Sequence, residues 1–231
     1  MFKNKYFYNA RLLPAVITSI PMLIFCNKIL AVEYNEALKN VFDVLPIIAH
    51  LGLSAAVITI CIQLNRFIAK EVFQRLYFKD ELEMPTTNHL MIKSAEYPEP
   101  IKNKIRMKIK DKFSMMLLDE YDERQNEINA RKLIATAVSQ IRNALRGNSM
   151  LLQHNIEYGF WRNLIGGSFW AIIFSIVIFF YGNNFNQVGL KTVGIICLII
   201  YFIPILFSKM IINRYGKYYA KILFEQFLSL S

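Results

Sequence analysis

The residues whose types and spacing could do chemistry here are cations set at regular intervals. Glu99-Pro100 opens the run IKNKIRMKIKDKF, in which Lys104, Arg106, Lys108, Lys110 and Lys112 fall at every second position. Read with period two, they share one face of a strand. Read with period 3.6, Ile101, Ile105, Ile109 and Phe113 form an i, i+4 stripe. The acidic residue and proline at the start, with Met116 and Leu117 continuing the stripe, predict a helix. On that helix Lys102, Arg106 and Lys110 make one row, and Lys104, Lys108 and Lys112 another. An apolar seam between cationic rows suits a phosphate-bearing partner. The plainer reading is a solvated helix lying near anionic headgroups.

A second set follows. The acidic patch DEYDERQNE begins a helix expected to run from Asp119 to Arg146, where Gly147-Asn148 ends it. Ile134, Val138, Ile141 and Leu145 are its buried face. At 100° per residue Arg124, Arg131, Arg142 and Arg146 lie within about 60° of one another, beside that stripe. There they suit a bound anion or a subunit contact better than bulk solvent. Pairing with Asp119, Glu120, Asp122 or Glu123 of a neighbour is the structural alternative. After Pro85, Thr86 or Thr87 caps a short helix through His89 to Ile92, although periodicity leaves an extended segment open there. The candidate ligand-binding set is therefore Thr86, Thr87, Lys104, Arg106, Lys108, Arg131, Arg142 and Arg146. His50, inside an apolar segment between Pro46 and Gly52, is the candidate pore or gate residue; a packed, hydrogen-bonded histidine is the alternative.

Other chemistry finds no support. There is no P-loop, G-x-G-x-x-G, G-x-S-x-G or H-E-x-x-H, and His50, His89 and His154 lack metal-ligand spacing. Cys26, Cys61 and Cys197 are too few and too scattered for a disulfide framework or a zinc site. Neither an enzyme nor a cofactor is expected.

The elements that must position these cations are mostly apolar. The 231 residues are 55% hydrophobic yet carry a formal charge of +10, which implies greasy spans with basic flanks. Four blocks approach the roughly 20 residues a spanning helix needs: Leu12 to about Val32, about Val44 to Leu64, Leu164 to Tyr181, and Leu190 to Phe207. The first is broken by Pro14, Pro21 and Asn27-Lys28. Its poor cleavage region favours a retained span over a signal peptide. Segments 1–12, 65–163 and 208–231 hold 24 of the 27 Lys and Arg and 14 of the 17 Asp and Glu. The external connections are then neutral, and the positive-inside rule puts both termini and the middle segment in the cytoplasm of a bacterial inner membrane.

The expected fold is all-α: a four-pass transmembrane bundle with a helical cytoplasmic domain inserted between spans two and three. Its parts are an N-terminal hairpin (1–64), a basic domain (65–163), a C-terminal hairpin (164–207) and a cytoplasmic C-terminal helix (208–231).

Three segments, MPTTNHL at 84–90, INARKLIATAVSQIRNALR at 128–146 and LLQHNIEYGFWRNLIGG at 151–167, together with this layout, resemble small membrane proteins of bacterial anti-phage defence. The nearest is the channel-forming subunit of the Hailong system, followed by the paired membrane subunit of the Kiwa system. The resemblance implies a homo-oligomeric channel. It further implies a soluble, nucleotidyltransferase-like partner whose DNA oligomers bind the cytoplasmic domain and hold the channel silent. The functional expectation is a membrane effector gated by an anionic nucleotide or oligonucleotide. The alternative is a non-channel scaffold or sensor that recruits a soluble protein.

Overall fold

The computed structural model describes residues 2–30, 46–79 and 82–230, and among them every regular element is a helix. The first stretch holds α1 (Phe2–Phe7), a π-helical turn (Tyr8–Leu12), α2 (Leu13–Phe25) and a second π turn (Cys26–Leu30). Next come α3 (Pro46–Phe67), a π segment (Ile68–Gln74), α4 (Arg75–Phe78) and α5 (Pro85–Asn88). They are followed by α6 (Glu99–Phe113), α7 (Glu120–Gln125) and α8 (Glu127–Ala144). The chain ends with α9 (Ser149–Asn184), α10 (Val188–Leu206) and α11 (Ser208–Ser229). Three helical stretches, Asn4–Lys28, Ser149–Asn184 and Val188–Leu206, are long and apolar enough to cross a membrane. Two compact units divide the chain: Lys3–Phe73 with Gly159–Ser208, and Gln74–Tyr158 with Lys209–Ser231.

In the first unit the N-terminal stretch is joined to every other long helix by polar groups. Pro21 lies inside α2 and has no N–H to offer the Ile17 carbonyl one turn earlier. The Tyr201 hydroxyl of α10 donates to that carbonyl instead, at 2.5 Å. Where the π turn widens the backbone ladder, Asn163 of α9 donates through Nδ2 to the Ala10 carbonyl, also at 2.5 Å. Asn65 of α3 donates through Nδ2 to Thr18 Oγ1 at 2.9 Å. Close approach makes this possible: a Cβ on Gly166 would collide with the Asn65 carbonyl and Ala69, and one on Gly167 with the Asn65 and Thr18 side chains. Small residues at such crossings let backbones meet where lipid supplies no hydrophobic driving force between helices. Apolar contacts finish the joints, with Ala15 packing in one cluster with Val57, Cys61 and Ile62. The outward faces stay apolar: Ile199 and Ile203 of α10 are 59% and 52% exposed. A continuous apolar surface of that kind needs a cover other than water.

The second unit has an aliphatic and aromatic core. Leu90 and Met91, Ile105 and Ile109 of α6, Ile134, Val138 and Ile141 of α8, and Leu223, Phe224 and Phe227 of α11 form one buried cluster. Burying each is worth about 1.5–3 kcal/mol. The run at 99–113 is thus helical, and its apolar stripe is buried at Ile105 and Ile109 while Ile101 remains 38% exposed. It stops at Phe113, because Ser114 turns into the left-handed region at φ 52°. Met116 and Leu117 therefore lie outside the helix.

The helix expected from Asp119 to Arg146 is in fact two. The Asp119 side chain caps α7 by accepting from Asp122 N, and Asn126 breaks the rod and caps α8 by accepting from Asn129 N. Neither Thr86 nor Thr87 caps a helix through Ile92. Met84 is the N-cap of α5, Pro85 takes its first turn, and both threonines are buried.

Candidate anion-binding cleft

Two arginines one helical turn apart define the site, and the turn that follows gives it shape. Arg142 and Arg146 sit at the C-terminal end of α8, where Gly147 adopts φ +97°, a conformation costly for any side chain. This reversal brings Asn148 to the start of α9, where its Oδ1 accepts from Leu151 N at 2.9 Å. Its Nδ2 donates to Gln226 Oε1 of α11 at 2.7 Å. The Arg142 guanidinium lies 5.5 Å from the centre of the Tyr219 ring, which holds it by cation–π attraction. Together Arg142, Arg146, Asn148, Asn155 and Tyr219 line an open cleft of about 230 Å³. Two exposed cations, two amides and the positive end of a 36-residue helix meet there. Leu145, Gly147, Leu151 and Leu152 complete the lining, and the charged and amide groups on it are of the kinds that attract a phosphate or carboxylate.

The other candidates are placed differently. Lys104 is exposed on α6. Arg106, 13% exposed, donates to the Leu90 carbonyl at 2.9 Å and to the Leu118 carbonyl, and lies 3.7 Å from Glu123. Burial lowers its pKa from the usual value, opposed chiefly by the Glu123 charge. Lys108 donates to the Leu228 and Leu230 carbonyls, closing the C-terminal end of α11. Arg131, 11% exposed, pairs with Glu127 at 2.8 Å and donates to the Leu82 carbonyl and to Asn88 Oδ1. Lys102 is 2% exposed and donates to the Ile92 and Ser94 carbonyls while pairing with Glu99. The row of Lys102, Arg106 and Lys110 therefore does not face solvent as a row: its first two members tie down the chain between α5 and α6. His50 falls within α3, and its side chain lies outside the described residues.

A second cavity of about 200 Å³ is lined by Glu120, Glu123 and Glu127 with Lys93 and Arg124. Its carboxylates are engaged. Glu123 accepts from Ile92 N at 2.7 Å, Glu120 pairs with Arg124, and Glu127 is held below the usual carboxylate range first by Lys93 and then by Arg131. Such a surface repels an anion. Among the described residues no group of His, Cys, Asp or Glu could hold a metal ion. Asn148, Asn155 and Tyr219 were not among the sequence candidates. The Gly147-Asn148 turn behind two arginines was a local signal for the first; Tyr219 arrives from 77 positions beyond Arg142 and left no local trace.

No protein-family model, characterised protein or solved structure matches this chain.

Proposed function

We propose that this chain is an oligomeric membrane effector of bacterial anti-phage defence, a channel or pore whose state is set by an anionic nucleotide or oligonucleotide bound to the unit of residues 74–158 and 209–231. One observation carries the reading. The Arg142–Arg146 cleft lies at the start of α9, the helix that holds the apolar stretch from Leu164 to Tyr181. A ligand drawn to that helix end biases an element with a direct covalent route to a span. Four spans with both termini cytoplasmic fit the charge distribution. α3 would be the fourth: its 22 residues contain no Lys, Asp or Glu, and Arg66 stands at its last turn. One chain offers little room for a water-filled path, so the conducting form is a symmetric homo-oligomer. A soluble nucleotidyltransferase would supply the ligand.

Titration of labelled oligonucleotides and mononucleotides against the purified full-length protein at two salt concentrations tests this. Binding should weaken steeply with salt, because each neutralised phosphate releases counterion. Replacing Arg142 and Arg146 with Ala should cost about 1–3 kcal/mol per lost charge-assisted contact while leaving the fold intact. Arg131→Ala should act otherwise, lowering stability through the lost Glu127, Leu82 and Asn88 contacts. If the unmodified protein shows no salt-dependent binding, the scaffold reading takes the lead. Exposed Met116, Tyr121 and Ile128, at 69%, 71% and 60%, would then be its docking residues.

A further inference from the structure

Outside the cleft, the exposed face of α11 has an order of side chains that the ligand site does not use. Met210, Arg214 and Tyr218 recur every four residues and so form one ridge, with steps of about 6 Å. Met210 is 60% exposed and Tyr218 42%. The ridge starts just past Leu206 and Phe207, themselves 62% and 46% exposed, at the end of the apolar helix α10. Along it the chemistry changes from aliphatic to cationic to phenolic, the order met on leaving a bilayer through its headgroups.

Arg214 is poised rather than merely exposed. Its Nε donates to the Tyr218 hydroxyl at 2.9 Å, and its guanidinium carbon sits 5.7 Å from the Tyr218 ring centre. Tyr215 meets Tyr218 edge-on at 6.1 Å. With Nε committed, the two terminal nitrogens remain as a fork that fits two oxygens of one phosphate. Of the neighbouring cations, Lys217 pairs with Glu96 and Lys221 lies 3.8 Å from Glu225, while Lys209, beside Met210, is exposed and adds positive charge at the start of the ridge. No carboxylate among the described residues pairs with Arg214.

We propose that the Met210–Arg214–Tyr218 ridge is a headgroup site for an anionic phospholipid, with Arg214 clamping the phosphodiester and Met210 lying against the first acyl carbons. This rests on α10 as a membrane span and is independent of any channel activity. It separates Arg214, a lipid ligand, from Arg142 and Arg146, which face the cleft.

The test uses full-length protein exchanged into detergent with equal phosphatidylglycerol and phosphatidylcholine, and native mass spectrometry to count each lipid retained per chain. Phosphatidylglycerol should be retained preferentially. Arg214→Gln should reduce that retention about tenfold, the loss expected for one two-point charge-assisted contact. Arg214→Lys, which keeps the charge and loses the fork, should fall between the two. Tyr218→Phe keeps the ring and removes the acceptor that orients Arg214, and should also lower retention; it carries the test if Arg214→Gln fails to fold. Retention in the Arg142→Ala/Arg146→Ala protein should match the unmodified protein. Equal retention of the two lipids overturns the proposal, as does unchanged retention in the Arg214→Gln or Tyr218→Phe proteins. Loss of lipid in the cleft variant would move the site to the cleft. Displacement by millimolar inorganic phosphate would make the ridge a free-phosphate site and equally overturn the lipid assignment.

Discussion

Lys102 shows why a count of cations overstates a binding face. It lies in the same run as Lys104, yet one ammonium is exposed while the other is 2% exposed and spent on the Ile92 and Ser94 carbonyls. Periodicity assigns a residue to a helix row; which rows face carbonyls left open by a loop depends on where that loop passes. His89 makes the same point with a titratable group. It is 4% exposed, its Nδ1 lies 2.6 Å from the Pro85 carbonyl, and its ring packs edge-on against Tyr97. Burial pushes its pKa below the usual value, outweighing the Pro85 bond and the Glu96 charge that act the other way, with Lys217 adding to the depression. Tyr97 beside it is pushed up to about 12, first by burial. A histidine depressed in the folded state contributes stability that is complete above its unfolded value, near 6.5. That contribution is lost as pH falls through the folded value. The thermal midpoint of the full-length protein should therefore drop as pH falls below about 6.5. His89→Gln should flatten that drop; an equal drop in both proteins would assign the pH dependence to another group.

At the scale of elements, the N-terminal stretch changes standing most. Its prolines and the Asn27-Lys28 pair made it the least regular apolar block, and one of those prolines gives it a partner. Pro21 frees the Ile17 carbonyl that Tyr201 takes, and Thr18 accepts from Asn65. Polar contacts between membrane helices are typically worth about 1 kcal/mol. Tyr201→Phe should cost about that much in unfolding measurements made in detergent. Pro21→Ala restores an N–H to the Ile17 carbonyl, so Tyr201→Phe should cost clearly less in that background. Additive effects would mean that the hydroxyl does not substitute for the missing backbone bond. A break inside a strongly periodic segment is the other lesson. Asn126 stops one helix and caps the next, because its short amide reaches Asn129 N. The 3.6-residue pattern resumes almost in phase, so periodicity alone reads through it.

For the whole molecule, the deciding element is α3. If it crosses together with the three long apolar stretches, the number of spans is even; if it does not, residues 12 and 110 lie on opposite faces. Reporter fusions after residues 12, 110 and 231 should all read cytoplasmic, and one after Asn184 external. Opposite readings at residues 12 and 110 would reduce the membrane portion to three spans. Helical class, the apolar stretches and the buried stripe of α8 were all legible in the order of residues, because helix periodicity and bilayer thickness act over fewer than about 25 neighbours. What only the tertiary structure decided is which distant groups meet. Phe224 and Phe227 join a core with Ile105 and Ile141, Tyr219 lies under Arg142, and Asn163 reaches the Ala10 carbonyl. Those pairings are chosen by packing and by the cost of leaving buried donors and acceptors unpaired, and neither requirement is written in local spacing.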